Sequence, residues 1–305
     1  MSITCLNPKS IFNTYIENFV IVPCRECMHC LQKKQLEITF RFEATLKASC
    51  PCKNFYPFFA TLTFDQEHLP ISSAGYPTIQ RKKFTQFLRR YDMLCRLKYG
   101  KGMYPKLKFL ASGEYGSIGQ RPHYHVIPVL ADPILFEKAW SIRGKPLGYV
   151  DIQTEFKTNA IGYTAKYIAK HENNQHNYKC VEPEFVTWSR GLGKEYLTSA
   201  MLNYFHADPA NRNTLPLLDG AKMALPKFYA DKIQFTEWDK YLQQKKAKEY
   251  REKSDKESLA NYSHIPDERD RIYALHLDKL ELNKRKIQKQ KAALKMKQHQ
   301  KLKTL

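Results

Sequence analysis

The chain lacks several features that would place it in a membrane or among nucleotide-driven motors. No run of apolar residues approaches the ~18 that a membrane-spanning helix needs. The N-terminal residues Met1–Cys5 lack the basic and apolar regions of a secretory signal. The segment Trp188–Lys194 misses the first glycine of a Walker A loop and the Ser or Thr after its lysine. We therefore expect no membrane association, no export, and no ATPase or helicase activity within this chain.

Acidic residues are scarce relative to basic ones. The 305 residues include 30 Asp or Glu and 50 Lys or Arg, which gives a formal net charge of +20 at pH 7. From Lys279 onward there are ten basic residues and one acid, Glu281. Such a balance favours a polyanionic partner, most often nucleic acid. The alternative is a basic protein whose charged surface is simply solvated.

The eight cysteines are clustered rather than spread along the chain. Without an export signal, they favour free thiols or metal ligands over a disulfide framework. Two groups have the short spacings of metal knuckles, Cys24-x2-Cys27-x2-Cys30 and Cys50-x-Cys52. Four of these five residues could form a closed tetrahedral Zn²⁺ site. Free thiols at the base of a helix and an iron–sulfur cluster are the alternatives.

Strand and helix patterns follow one another without a regular βαβ alternation. This predicts an α+β fold, with a central antiparallel sheet flanked by helices and a basic helical C-terminal extension. Strands are predicted at 19–22, 58–64, 106–115, 123–130 and 149–154. Helices are predicted at 28–47, 78–99 with Thr78 as N-cap, 135–141, 158–170, and from Thr236 onward. The expected domains are 1–205 with a Cys-rich N-terminal segment, a loop-rich connection at 206–235, and a basic helical tail at 236–305.

Two histidines in one predicted strand are candidate metal ligands. His123 and His125 are two residues apart, so they point to the same face of the sheet. Glu114 ends the preceding predicted strand, and a hairpin through residues 116–122 would place its carboxylate beside both imidazoles. These three groups can hold a divalent ion with open positions for a phosphate oxygen, and the hard oxygen ligands favour Mg²⁺ or Mn²⁺. The alternative is a pair of strand histidines with ordinary hydrogen bonds.

Two tyrosines in a predicted helix are candidate nucleophiles. Tyr163 and Tyr167 are four residues apart and so lie on one helix face. Each is followed three residues later by a lysine, Lys166 or Lys170, whose charge would lower the pKa of a phenol and offset charge on a reacting phosphate. An activated tyrosine can form a covalent bond to phosphate. The alternative is a tyrosine face packed on the sheet.

The chain carries four motifs in a fixed order: Thr61–Phe64, Gly113–Gly116, Arg121–His125 and Gly162–Lys170. Together they resemble the HUH endonuclease superfamily, and within it the two-tyrosine replication initiators of microviruses. Two N-terminal motifs, Cys5–Pro8 and Pro23–Cys30, are similar to the gokushovirus branch of those initiators. The resemblance covers roughly residues 1–205 and implies an HUH endonuclease-like sheet.

The resemblance implies that His123, His125 and Glu114 hold the metal and that Tyr163 and Tyr167 alternate as nucleophiles. Such initiators nick and rejoin DNA at the phage origin through 5′-phosphotyrosine bonds, which starts and terminates rolling-circle replication. The implied partners are single-stranded DNA, double-stranded circular replicative-form DNA, and the host helicase and polymerase. The implied location is the host cytoplasm. The alternatives are a transposase or relaxase of the same superfamily and a non-enzymatic protein that binds or packages single-stranded DNA.

Overall fold

The computed structural model describes residues 5, 7–13, 18–116, 119–154, 180–217, 220, 222–275, 277–278, 281–282, 285 and 288. The chain divides into two compact units, residues 30–196 and residues 1–29 with 197–305. The strands are β1 (Lys9–Asn13), β2 (Asn18–Val22), β3 (Phe59–Thr63), β4 (Phe109–Tyr115), β5 (Pro122–Pro128), β6 (Ser141–Ile142), β7 (Lys145–Pro146), β8 (Val150–Gln153), β9 (Phe185–Trp188), β10 (Thr214–Pro216) and β11 (Lys222–Ala224). The α-helices are α1 (Met28–Lys47), α2 (Arg81–Tyr99), α3 (Pro133–Ala139), α4 (Ser199–Ala207), α5 (Lys227–Ile233) and α6 (Glu237–Ala260).

One sheet forms the centre of the unit of residues 30–196. Its five strands run in the order β8-β3-β5-β4-β9, and every neighbouring pair is antiparallel. Helices α1, α2 and α3 supply apolar residues to the clusters that cover this sheet. The prediction of an α+β fold, with a central antiparallel sheet flanked by helices and with C-terminal helices, is confirmed.

The two faces of the sheet are covered by different helices. On one face Tyr124 and Val126 of β5 are fully buried together with aromatic residues of α2 and α3, namely Phe84, Phe87, Tyr91 and Phe136. On the other face Ile127 of β5 packs with Ile38 and Phe42 of α1. Because strand side chains alternate between the faces, the two histidines of β5 lie on the face that α1 partly covers.

Helix α2 begins later than the sequence predicts. Its N-cap is Gln80, so the prediction of Thr78 as N-cap is wrong. The Thr78 hydroxyl is buried, donates to the carbonyl of Ile79 at 3.2 Å, and accepts from the N–H of Glu182 at 2.9 Å. Since this hydroxyl binds a distant segment of the chain, it is not available to the first turn of the helix.

The other unit contains two hairpins and most of the C-terminal helices. Strand β1 pairs with β2, and β10 pairs with β11. Helix α6 begins with a capping box, in which Thr236 Oγ1 accepts from the N–H of Asp239 at 3.1 Å and the Asp239 carboxylate accepts from the N–H of Thr236 at 2.9 Å. The helix predicted from Thr236 onward is confirmed. Within the described residues, no helix is both long and apolar enough to cross a membrane.

Candidate active site

Strand pairing sets the positions of the three predicted metal ligands. Glu114 of β4 lies opposite His123 of β5 in the antiparallel register, and His125 lies two residues further along β5. One donor atom from each of these residues lies within 4.8 Å of the other two. The β4–β5 pairing predicted from the sequence therefore forms, and it brings the carboxylate and both imidazoles together.

The Glu114 carboxylate is buried beside the His125 ring. His125 Nε2 lies 3.3 Å from Glu114 Oε1, and 12% of the His125 side chain and 7% of the Glu114 side chain are exposed. Ser112 Oγ donates a hydrogen bond to the same carboxylate oxygen at 3.3 Å. A buried carboxylate is stable only when such polar partners replace the lost water. The fold therefore holds a negative charge at this point of the sheet.

Each histidine uses its Nδ1 atom for a contact within the fold. His125 Nδ1 lies 3.1 Å from Thr61 Oγ1 of β3, and His123 Nδ1 lies 3.2 Å from the carbonyl oxygen of Arg121. Because a carbonyl oxygen only accepts, the His123 contact places the proton on Nδ1 and leaves the lone pair on Nε2. Hydrogen bonds of this kind orient histidines that bind a metal through the other nitrogen.

The environment of His123 keeps its ring uncharged. Burial lowers the pKa of His123, because water is excluded from the charged form, and this outweighs the raising effects of the Arg121 carbonyl and the Glu184 carboxylate. The pKa therefore lies below the ordinary value of a histidine, and the ring is neutral at pH 7. A neutral imidazole is the form that binds a metal ion.

Sequence reasoning missed a second buried carboxylate next to this group. Glu184 directly precedes β9, and its Oε1 accepts a hydrogen bond from the N–H of Tyr115 at 3.0 Å. It comes near His123 only because β9 pairs with β4 in the folded sheet. No local pattern in the sequence indicates this pairing, since the two strands are far apart along the chain.

Gly113, the residue before Glu114, has a packing role. A Cβ atom at this position would lie 2.6 Å from Cε1 of the Phe185 ring, far closer than carbon atoms normally approach. Phe185 is itself buried, and the guanidinium carbon of Arg81 lies 4.4 Å from its ring centre. Because the ring has little space to move, glycine is required where β9 crosses the backbone of β4.

The donor set fits a divalent cation. Two imidazole nitrogens and one carboxylate oxygen are three protein donors, fewer than the six positions that Mg²⁺ or Mn²⁺ fills. The remaining positions would be taken by water or by oxygen atoms of a substrate. A site that keeps open positions is typical of a catalytic ion rather than of a structural one.

Comparisons with known proteins agree with this site. Residues 57–172, which include all three ligands, match the family model of the replication-associated protein ORF2. The chain is 28% identical over 261 residues to the replication-associated protein ORF2 of Spiroplasma virus 4, a match that covers 80% of this chain and 78% of that protein. It is also 28% identical to the replication-associated protein ORF4 of Chlamydia phage 1, over 69% of this chain and 53% of that relative.

A third relative is the replication-associated protein VP4 of Bdellovibrio phage phiMH2K, which is 26% identical over 68% of this chain and 66% of its own length. The chain is a relative of the microvirus replication-associated proteins. The predicted resemblance is thereby confirmed. The match spans about half of the Chlamydia phage relative and just under two thirds of the Bdellovibrio phage one. No solved structure matches this chain significantly.

The predicted nucleophiles lie outside the described residues. Tyr163, Tyr167, Lys166 and Lys170, and the helix predicted at 158–170, fall within the segment 155–179. Their roles stay predictions from the sequence. The family match extends to residue 172 and so includes all four positions.

The cysteines form a second group of potential ligands. Four sulfur atoms lie within 4.8 Å of one another, those of Cys5, Cys24, Cys27 and Cys30. The pKa of the Cys24 thiol is lowered to about 6: burial acts to raise it, but hydrogen bonds from the N–H groups of Cys27 and Glu26 and from the Cys5 and Cys27 thiols together outweigh that effect.

Cys50 and Cys52, two of the five zinc ligands considered from the sequence, do not belong to this group. Both are exposed and follow the C-terminal end of α1, whereas the four clustered cysteines lie near its first turn. The 20 residues of this helix span about 30 Å. The structure therefore replaces this pair with Cys5, which is distant from the other ligands in sequence and has no knuckle spacing of its own.

Proposed function

We propose that this protein initiates rolling-circle replication of a small bacteriophage genome by nicking and rejoining DNA through tyrosine nucleophiles. The observation that carries the proposal is the buried group of Glu114, His123 and His125 in a chain related to phage replication-associated proteins. A protein that only bound single-stranded DNA would need no such group. The names of the relatives favour replication over transposition or conjugative transfer.

In this proposal the three ligands hold Mg²⁺ or Mn²⁺. When bound, the ion would draw negative charge from a non-bridging oxygen of the scissile phosphate. Glu114 supplies the charge that attracts the cation, and Ser112 fixes the direction of one of its oxygens. Thr61 and the Arg121 carbonyl hold the two imidazoles so that their Nε2 atoms can bind the ion. The enzyme would therefore need little rearrangement to bind its metal.

Tyr163 and Tyr167 are the proposed nucleophiles, with Lys166 and Lys170 beside them. The phenolic oxygen of one tyrosine attacks the phosphorus, the bond from phosphorus to the 3′-oxygen breaks, and the leaving 3′-oxygen takes up a proton. A 5′-phosphotyrosine bond and a 3′-hydroxyl result. The second tyrosine then cuts the regenerated origin, and the new 3′-hydroxyl attacks the first phosphotyrosine, which frees the tyrosine and closes the circle.

The proposed partners follow from charge and from what the chain lacks. A net charge of +20 supports binding to single-stranded DNA and to the double-stranded circular replicative form. Because the chain carries no Walker A motif, strand opening and synthesis are assigned to the host helicase and polymerase, in the host cytoplasm. The basic tail from residue 279 is proposed to strengthen DNA binding through contacts with phosphates.

Substitution of the tyrosines tests the proposal. The purified protein is incubated with Mg²⁺ and the supercoiled genome that encodes it, and nicked DNA and covalent protein–DNA adducts are measured. Tyr163→Phe and Tyr167→Phe should each still form some adduct but fail to release closed circles, because the second cut lacks a nucleophile. The double variant should form no adduct. Mass spectrometry then locates the modified residue.

Tyr250→Phe provides a matched control, because Tyr250 is an exposed tyrosine of helix α6. This variant should nick and rejoin like the unmodified protein. An undiminished adduct in the Tyr163→Phe, Tyr167→Phe double variant would overturn the assignment of the nucleophiles. Absence of any nicking by the unmodified protein, with any divalent ion, would overturn the enzymatic function itself.

A further inference from the structure

The four clustered cysteines have the spacing of a tetrahedral metal site. With zinc–sulfur bonds of ~2.3 Å, the sulfur atoms of such a site lie about 3.8 Å apart. Cys5 Sγ lies 3.4 Å from Cys24 Sγ and 3.9 Å from Cys27 Sγ, and Cys30 completes a set within 4.8 Å. All four cysteines are present as thiols rather than as disulfides. The sulfur atoms are therefore already arranged around one central point.

The backbone around these cysteines supports thiolates rather than apolar thiols. The N–H of Cys24 donates to Cys5 Sγ at 3.2 Å, and the N–H of Cys27 donates to Cys24 Sγ at 3.3 Å. Arg25, between them, has a φ of +66°, a left-handed conformation that a residue with a Cβ rarely adopts. A strained turn that directs two sulfur atoms to one point needs a compensating interaction, and a bound ion provides one.

The hairpin of β1 and β2 also needs an interaction beyond its own pairing. An isolated two-stranded hairpin is only marginally stable in water. Its aromatic pair, Phe12 and Phe19, contributes little burial, because 54% and 68% of these residues are exposed. Cys5 precedes β1 and Cys24 follows β2 by two residues, so a link between the two cysteines closes the base of the hairpin.

We propose that Cys5, Cys24, Cys27 and Cys30 bind one structural Zn²⁺ ion that holds the β1–β2 hairpin in place. Each thiol gives up its proton to solvent as its sulfur binds the ion, and no oxidation is involved. Four thiolates fill the tetrahedral positions of zinc, so no position remains for a substrate. The site is therefore structural and separate from the candidate active site.

Metal analysis of the full-length protein tests this site. Protein produced with added zinc and gel-filtered should contain about one zinc ion per chain, measured by mass spectrometry of the element. Cys5→Ser, Cys24→Ser, Cys27→Ser and Cys30→Ser should each reduce the zinc content to a small fraction of that value. Cys50→Ser, Cys52→Ser and Cys180→Ser are matched controls with exposed thiols and should retain the ion. The His123→Ala, His125→Ala double variant should also retain it.

Hydrogen exchange separates loss of the ion from loss of the fold. Removing zinc from the unmodified protein with a chelator should accelerate amide exchange in β1 and β2 while β4 and β5 stay protected. Equal zinc loss in Cys5→Ser and Cys50→Ser would overturn the ligand set. An iron–sulfur absorption band, a Cys5–Cys24 disulfide in freshly purified protein, or a chain without zinc would overturn the proposal.

Discussion

The two groups of potential ligands in this protein are built in opposite ways. Glu114, His123 and His125 belong to adjacent strands in a five-stranded sheet, and hydrogen bonds to Thr61 and Arg121 hold the two rings. The four cysteines lie on segments next to an exposed hairpin. In the sheet the fold positions the ligands before any ion binds. At the cysteines, by our proposal, the ion positions the fold.

The chemistry of the ligands differs in the same way. The sheet offers nitrogen and carboxylate oxygen with open positions, which suits a catalytic cation that exchanges with solvent. The cysteines offer four sulfur atoms, which suit a closed and slowly exchanging zinc site. Changes in the sheet unit should therefore leave the cysteine group intact, and the following experiments on that unit begin with the largest expected effect.

The largest effect is expected from removal of a ligand in the sheet. His123→Ala or His125→Ala should reduce Mg²⁺-dependent nicking of supercoiled DNA at least ~100-fold, because loss of a direct ligand exceeds the 10–100-fold effect of losing an outer-shell partner. Thermal stability and DNA affinity should change little, since the ion acts on the reacting phosphate. Cys50→Ser, with an exposed thiol, is the control. Nicking at the unmodified rate by a histidine variant would contradict the metal assignment.

A medium effect is expected from a change that weakens the sheet unit without touching either ligand group. Asp132 is the N-cap of α3, accepts from the N–H groups of Ile134 and Leu135, and also accepts hydrogen bonds from Lys98 and Tyr99. Asp132→Ala should lower the free energy of unfolding by about 2 kcal/mol, measured by urea denaturation. Asp92→Ala, which removes an exposed ion pair with Arg96, should have a much smaller effect.

The same residue predicts a pH dependence. Burial acts to raise the pKa of Asp132, but the hydrogen bonds from Lys98, Tyr99 and Leu135 outweigh it, so the pKa in the folded state is lowered. A lowered pKa contributes stability above the ordinary Asp value of ~3.9, and that stability is lost as pH falls through the folded-state pKa. Asp132→Asn should therefore lose less stability than the unmodified protein below about pH 4. Parallel pH profiles for the two proteins would contradict this explanation.

The smallest effect is expected from a residue that only orients a ligand. Thr61→Ala removes the hydroxyl beside His125 Nδ1 and should weaken the affinity for Mn²⁺ about tenfold, measured from the metal dependence of nicking. Thr61→Ser should restore the affinity. Thr63→Ala is the matched control, because Thr63 is in the same strand and its hydroxyl donates to the carbonyl of Tyr149 instead. Equal losses in both alanine variants would show that the strand, rather than the hydrogen bond, matters.

Local geometry alone allowed much of the candidate site to be predicted. The period of two in a strand places His123 and His125 on one face, and a short hairpin places Glu114 opposite His123. The predicted helix at 28–47 has the observed bounds of α1 for the same reason, since a run of helical spacing without Pro or Gly needs only its own residues. The roles of Tyr163 and Tyr167 stay predictions of this local kind.

Only the tertiary structure decided which distant residues complete each group. Thr61 meets His125 because β3 pairs with β5, and Glu184 comes near His123 because β9 pairs with β4. Cys5, rather than Cys50 or Cys52, joins the other cysteines, because the length of α1 separates its two ends. Periodicity fixes the direction of side chains within one element. The choice of neighbour across tens of residues depends on how whole elements pack and pair, which no local pattern encodes.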